Sequence, residues 1–188
     1  MEAFFASTLL VAVAEVGDKT QLLSFVLAAR LRKPWPILAA ILAATLLNHA
    51  LAGWAGALLA RAVPARPLVW LVGLSFVGFG LWALKPDSLD AAPGAGRSGA
   101  FVTAFMAFFI AEMGDKTQLA TVALAARFDS LAAVILGTTL GMMVANVPAV
   151  WIGERLTRHI PMKAVRLFAA ALFIATGIVT LAGAFADA

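Results

Sequence analysis

A charged motif that occurs twice inside apolar sequence constrains this chain more than any other feature. The first copy, EVGDKTQL, covers residues 15–22, and the second, EMGDKTQL, covers residues 112–119. Each copy places two carboxylates and one ammonium group in a segment that is otherwise apolar enough to cross a bilayer. Ionisable groups at membrane depth are costly, and they usually face a cavity in which they act on an ion or a proton. We therefore expect the two motifs to form the functional site.

The composition indicates a membrane protein. Of 188 residues, 63% are hydrophobic and 13% are charged, whereas the apolar share of a soluble domain is close to one half. The net charge is +4, but the basic residues lie scattered between apolar runs, which is typical of membrane topology signals and not of nucleic-acid binding. The chain has no cysteine, so a metal would have to be bound through oxygen or histidine ligands.

The apolar segments predict an all-α polytopic membrane protein with six transmembrane helices. They cover residues 3–29, 35–59, 68–84, 101–126 and 131–152, and a last segment ends at residue 185. The first segment would be about 40 Å long as a straight helix, which exceeds a hydrocarbon core of about 30 Å. It is therefore expected to tilt or to be broken, with Gly17 as the place of the break. Because it contains charges and lacks a basic start, it is interpreted as a retained span and not as a signal peptide.

The second half of the chain repeats the first when the sequence is shifted by 97 residues. The identical pairs include Glu15 and Glu112, Trp54 and Trp151, Arg61 and Arg158, and Gly80 and Gly177. A unit with three spans must cross the membrane in the opposite direction when it is duplicated, which gives the inverted repeat of many secondary transporters. The predicted organisation is a first three-helix repeat (1–85), a cytoplasmic linker (86–99) and a second, inverted three-helix repeat (100–188).

The distribution of lysine and arginine predicts the orientation in the membrane. With the N-terminus outside, nine basic residues lie in cytoplasmic loops and three in outer loops, which agrees with the positive-inside rule. Both termini are then extracytoplasmic, and the two motifs lie at a similar depth on antiparallel helices. The predicted partners are a divalent metal ion and the lipid bilayer, without nucleic acid, and the chain is expected to be a monomer or a homodimer.

The two motifs are predicted to meet at the pseudo-two-fold axis and to form one cation site. On a continuous helix, the two acids and the lysine of each motif share one face, the glutamine lies at its margin, and the glycine and the threonine turn away. Carboxylate and carboxamide oxygens suit Mn²⁺, Ca²⁺ or Mg²⁺, and a helix break at the glycines would free backbone carbonyls for the ion. The predicted ligands are Glu15, Asp18, Gln21, Glu112, Asp115 and Gln118, and the supporting residues are Gly17, Lys19, Thr20, Asn48, Gly114, Lys116, Thr117 and Asn146.

The charges of this site predict an exchange of a divalent cation for protons. Four carboxylates and two ammonium groups leave a charge of −2, which one divalent cation neutralises. Protons can neutralise the same oxygens, because burial and the crowding of like charges favour the uncharged carboxyl. Competition between metal and protons is the simplest physical basis for antiport. The lysines are expected to pair with Asp18 and Asp115 or to reach out of the site.

Several alternatives are left open by the residues alone. The aspartate and lysine pairs could be structural contacts between helices, and Asn48 and Asn146 could make interhelical hydrogen bonds instead of binding the ion. His49 is interpreted as structural, with proton transfer as its alternative role. A passive divalent cation channel or uniporter is the main functional alternative. An intramembrane aspartyl protease is disfavoured, because a lysine beside each aspartate opposes the shared proton of a catalytic dyad, and no enzymatic activity is predicted.

The duplicated Glu-x-Gly-Asp-Lys/Arg-Thr/Ser pattern resembles the signature of the small membrane cation exchangers, a family that includes the Golgi manganese/calcium:proton exchanger and bacterial manganese exporters. The resemblance covers nearly the whole chain. It implies that the four motif acids bind the transported cation and that the motif threonines and glutamines complete the site. It further implies export of Mn²⁺, with Ca²⁺ as the alternative, in exchange for protons and without a resident cofactor. The short start and the barely acidic linker favour the cytoplasmic (inner) membrane of a bacterium over the Golgi.

Overall fold

The computed structural model describes residues 1–85, 99–152 and 162–186, and in these ranges the regular structure is entirely helical. The helices are α1 (Glu2–Glu15), α2 (Lys19–Leu31), α3 (Pro34–Ala62), α4 (Ala65–Ala83), α5 (Ala100–Glu112), α6 (Lys116–Arg127), α7 (Leu131–Ile152) and α8 (Met162–Ala186). The prediction of an all-α chain is confirmed. Apart from Gly99, the predicted linker (86–99) lies outside the described residues.

Four helical segments are long and apolar enough to cross a bilayer, and they identify a multi-pass membrane protein. They are Pro34–Ala62, Ala65–Ala83, Leu131–Ile152 and Lys163–Gly183. The other two predicted spans, which contain the motifs, are each divided into two shorter helices, α1 with α2 and α5 with α6. Neither motif therefore lies in a continuous helix.

The break in each motif follows from its glycine. Helix α1 ends at Glu15, Val16 is extended, and Gly17 has a φ of 81°, in the left-handed region that glycine adopts without the steric cost that other residues meet. Asp18 then caps α2 by accepting a hydrogen bond from the backbone N–H of Lys19 at 2.7 Å. The second motif repeats this backbone, with a φ of 74° at Gly114. The predicted break at Gly17 is confirmed.

The helices of the two halves correspond closely in sequence. Helices α6, α7 and α8 begin 97 residues after α2, α3 and α4, and α5 ends 97 residues after α1. The same shift that aligns the motifs therefore also aligns the helix boundaries. Corresponding positions of the two halves can be compared residue by residue.

The broken helices of each half pack against the long helix of the other half. Helices α1 and α2 contact α7, helices α5 and α6 contact α3, and α4 contacts α8. Small residues permit this close packing: a Cβ added at Gly73 of α4 would lie 3.2 Å from the carbonyl oxygen of Gly177 of α8, and one at Gly177 would lie 2.7 Å from that of Gly73. The motifs are thereby placed between the two halves, where groups from both can meet.

Candidate cation-binding site

The lysine of each motif pairs with the aspartate of the other motif. Lys19 Nζ lies 2.9 Å from Asp115 Oδ1, and Lys116 Nζ lies 3.1 Å from Asp18 Oδ1. The expectation that the lysines pair with these aspartates is confirmed, but the pairs cross between the halves, because the breaks turn each lysine toward the opposite motif. The two pairs differ in exposure: the Lys19 side chain is 27% exposed and that of Lys116 is 5% exposed.

The glutamates of the two motifs are fully buried, and each has an oxygen atom without a hydrogen-bond partner among the described residues. Glu15 accepts a hydrogen bond from the hydroxyl of Thr20, and Glu112 accepts one from that of Thr117 at 3.2 Å. Among the described residues, Glu15 Oε2 and Glu112 Oε1 have no hydrogen-bond partner. A buried carboxylate oxygen without a partner is costly unless a proton or a cation neutralises it.

The glutamines hold the breaks and connect them to the other half. Gln21 Oε1 accepts a hydrogen bond from the backbone N–H of Gly17 at 2.8 Å, and Gln118 does the same for Gly114 at 2.7 Å. Their amide groups donate across the interface, Gln21 to the carbonyl oxygen of Ala145 at 3.1 Å and Gln118 to Asn48 Oδ1 at 3.2 Å. Because Gln21 and Gln118 fix the backbone of the breaks, they have a structural role whether or not they also bind an ion.

The two asparagines make the interhelical hydrogen bonds that were one of their predicted roles. Asn48 Nδ2 donates to the carbonyl oxygen of Phe109 at 3.2 Å. Asn146 Nδ2 donates to Glu15 Oε1 at 3.2 Å, and Asn146 Oδ1 accepts from the hydroxyl of Ser24 at 2.6 Å. Asn146 therefore hydrogen-bonds to a motif acid, whereas the motif residue that hydrogen-bonds to Asn48 is a glutamine.

The four acids act on one another electrostatically. Glu112, Asp18 and Asp115 all lie close enough to Glu15 to repel its charge. The two motifs are thus brought together, as the sequence predicted. Among the described residues, however, no three His, Asp or Glu side chains converge on one point in a way that could hold a metal ion.

One part of the predicted geometry is wrong. A continuous helix would turn Thr20 and Thr117 away from the acids, but both are fully buried against the glutamates. The break explains the difference, because a helix interrupted at the glycine no longer keeps a fixed angle of about 100° per residue between Glu15 and Thr20. The supporting role given to these threonines by the family resemblance fits their contacts.

Two polar residues near the site were not assigned to it from the sequence. Ser24 lies one turn after Thr20 on α2 and contacts Asn146, so its helical spacing was an available signal. His49 is completely buried on α3, next to Asn48. The sequence feature that could have pointed to His49 was the 97-residue shift, which aligns His49 with Asn146 and Asn48 with Ala145.

Comparison with known proteins identifies a family. A family model described as "Divalent cation/proton antiporter GDT1" matches residues 3–91 and 100–188 of this chain. No solved structure matches the fold significantly.

Similar full-length proteins occur in bacteria and plants. A protein of Vibrio cholerae named "Putative manganese exporter" is 48% identical over 181 residues, which cover 96% of this chain and 90% of that protein. The "GDT1-like protein sll0615" of Synechocystis is 30% identical, with coverage of 96% and 97%. The "GDT1-like protein 4" of Arabidopsis thaliana is 27% identical, with coverage of 95% and 94%.

Proposed function

The chain belongs to the GDT1 family of divalent cation/proton antiporters, and we propose that it exports Mn²⁺ from a bacterial cytoplasm in exchange for protons. The family makes it a transporter and not an enzyme. The choice of Mn²⁺ follows the name of the Vibrio cholerae relative, and Ca²⁺ is the second candidate because both ions accept carboxylate oxygens.

One observation carries this proposal: Glu15 and Glu112, at corresponding positions of the two halves, each have a buried oxygen without a hydrogen-bond partner in the described part of the chain. Such an oxygen is stabilised by a proton or by a cation, and the two compete for it. We assign the ion to these glutamates together with Asp18, Asp115, Gln21 and Gln118. The motif threonines orient the glutamates. The glycine breaks bring the ends of four short helices, which carry the partial charges of the helix dipoles, next to the ion.

The charge of the site sets the exchange ratio. Four carboxylates and two lysines leave a charge of −2, so one divalent cation or two protons restore neutrality. A site that is neutral in both loaded forms avoids burying net charge in a low-dielectric medium, which would be costly. We therefore propose that two protons enter for each Mn²⁺ that leaves.

The crossed ion pairs connect ion binding to the contact between the halves. A cation that binds Asp18 and Asp115 competes with Lys116 and Lys19 for the same carboxylates. The pairs therefore weaken when the ion binds and form again when it leaves. In the proposed cycle, two inverted repeats, which together cross the membrane six times, rock against each other around this site, with both termini extracytoplasmic and the linker in the cytoplasm.

The proposal is tested by transport into proteoliposomes that contain the purified protein. With an acidic lumen and a neutral bath, Mn²⁺ should accumulate above its external concentration, and nigericin, which collapses the pH gradient, should abolish the accumulation. Glu112→Gln is the matched inactive variant. Uptake that stops when the internal and external Mn²⁺ concentrations are equal would instead identify a passive channel or uniporter.

A further inference from the structure

His49 is the least satisfied polar side chain near the motifs. Its ring is completely buried in the middle of α3, and neither Nδ1 nor Nε2 has a hydrogen-bond partner among the described residues. Buried polar groups almost always have a partner, and an unpaired one is costly in an apolar environment. A buried imidazole with two unpaired nitrogens is therefore a candidate to bind a ligand.

The correspondence between the two halves indicates which motif residue is the counterpart for His49. The 97-residue shift aligns His49 with Asn146, and Asn146 Nδ2 lies 3.2 Å from Glu15 Oε1. The aligned neighbouring positions both contact a motif glutamine, since Gln21 donates to the backbone carbonyl oxygen of Ala145 and Gln118 donates to the side-chain oxygen of Asn48. By this correspondence the counterpart of Glu15 for His49 is Glu112, although no hydrogen bond joins His49 to Glu112. Glu112 Oε1, like the imidazole nitrogens, has no partner in the described part of the chain.

The two corresponding side chains differ in chemistry. The carboxamide of Asn146 is already used, because its amide donates to Glu15 and its oxygen accepts from Ser24. An imidazole nitrogen offers a lone pair that ligates first-row transition metal ions. Ca²⁺ and Mg²⁺ instead take oxygen ligands almost exclusively. The site is therefore symmetric in its oxygens and asymmetric in one potential nitrogen ligand.

From this correspondence and from the unpaired atoms of both side chains, we propose that His49 supplies a nitrogen ligand to the ion held by Glu112, and that this ligand makes the site prefer Mn²⁺ to Ca²⁺ and Mg²⁺. The inference rests on the proposed function only in taking Glu112 as an ion ligand. It adds a residue that determines specificity. The acids and glutamines cannot discriminate between the three ions, because their oxygens accept all of them.

The test measures binding of MnCl₂ and CaCl₂ to the purified full chain in detergent by titration calorimetry, without reference to transport. The variant His49→Asn gives the first half the same residue type that the second half has at the corresponding position, Asn146. The Kd for Mn²⁺ should rise by about 10-fold or more, the usual effect of losing a group from a metal site, while the Kd for Ca²⁺ stays within about twofold. Thr45→Val is the matched control, because Thr45 is also completely buried on α3 one turn away and its hydroxyl has no partner in the described residues; it should change neither constant.

A second variant keeps the inference testable if His49→Asn does not fold. Asn146→His adds an imidazole at the corresponding position and should increase the preference for Mn²⁺ over Ca²⁺. Equal changes of both Kd values in His49→Asn, or no change in the preference of Asn146→His, would overturn the role of His49. Neither result bears on proton coupling, which the proteoliposome experiment tests separately. A passive flux in that experiment would refute antiport but would not contradict the proposed metal preference.

Discussion

The ammonium group of Lys19 lies 2.9 Å from the carboxylate of Asp115, a residue of the opposite motif. Lys116 and Asp18 form the corresponding pair at 3.1 Å. Each motif therefore supplies the counter-ion of the other, and neither motif is electrostatically complete alone. This explains in physical terms why the motif is present twice, and it leads to predictions that a model with two independent sites would not make.

The two lysines should differ in their contribution to stability. Lys116→Met leaves Asp18 buried with its principal cation removed, and breaking a buried ion pair typically costs about 3–5 kcal/mol. Lys19→Met should cost clearly less, because water can reach the Lys19 side chain, which is 27% exposed, and screens the loss. Thermal unfolding in detergent should therefore give a lower midpoint for Lys116→Met than for Lys19→Met.

The crossing of the pairs can be tested by a double-mutant cycle. Adding Asp18→Asn to Lys116→Met should recover most of the lost stability, because the uncompensated charge disappears together with its partner. Adding Asp115→Asn to Lys116→Met should recover none of it. Recovery by Asp115→Asn and not by Asp18→Asn would mean that the pairs form within each motif, contrary to the structure.

Neutralising any one of the four acids should stop transport, and neutralising either glutamate should also leave the fold intact. Glu15→Gln, Glu112→Gln, Asp18→Asn and Asp115→Asn each preserve the shape of the side chain and remove one negative charge. We expect Mn²⁺ flux to fall by about 100-fold in each, the upper range for loss of a metal-site group, with comparable effects from the two halves. Flux into proteoliposomes, together with the unfolding midpoint as a check on folding, measures this. A half whose acids can both be neutralised without loss of flux would rule out a shared site.

The break at Gly114 should not tolerate a side chain. A Cβ at Gly114 would meet no neighbouring atom within 4 Å, so Gly114→Ala acts through the backbone alone, at a φ of 74° where alanine costs about 1–2 kcal/mol. Mn²⁺ flux should fall together with stability, and Gly114→Asn should be milder because asparagine tolerates this region. Gly78→Ala on α4 is the control, because its Cβ also has open space; it should leave flux unchanged, and equal effects at both positions would contradict the role of the break.

The Thr20 hydroxyl should matter for ion affinity more than for folding. Thr20→Val removes the group that donates to Glu15 while keeping its volume, so Glu15 loses its orientation and the Kd for Mn²⁺ should rise by about 10-fold. Thr176→Val is the matched control, because in the described structure the Thr176 hydroxyl donates to the carbonyl oxygen of Leu172 in its own helix and not to a motif residue. An affinity that is the same in both variants would show that Thr20 does not position the glutamate.

The sequence predicted the all-α fold and the place of the break for clear physical reasons. The first apolar segment was too long for one straight crossing, and its only glycine stood at the motif. The crossing of Lys19 to Asp115 could not be predicted in the same way. Within one motif, Asp18 and Lys19 are adjacent, and only the packing of each broken helix on the other half brings the distant pair closer.

The wrong placement of the motif threonines has a clear origin. Placing Thr20 away from the acids assumed a regular helix through a position that was itself expected to break. Asn48 and Asn146 are not in register, because the 97-residue shift aligns Asn146 with His49. The structure agrees with this register, because Gln21 contacts the carbonyl oxygen of Ala145 and Gln118 contacts the side chain of Asn48, two positions that the same shift aligns.

The central claim, that two motifs build one site, is tested most directly by counting the Mn²⁺ ions bound to each purified chain. Electron paramagnetic resonance of free Mn²⁺, during titration of the protein in detergent, gives this number. We predict one tightly bound Mn²⁺ per wild-type chain and none in either Glu15→Gln or Glu112→Gln. Two ions per wild-type chain, with one retained in each variant, would contradict the claim and show that each motif binds an ion by itself.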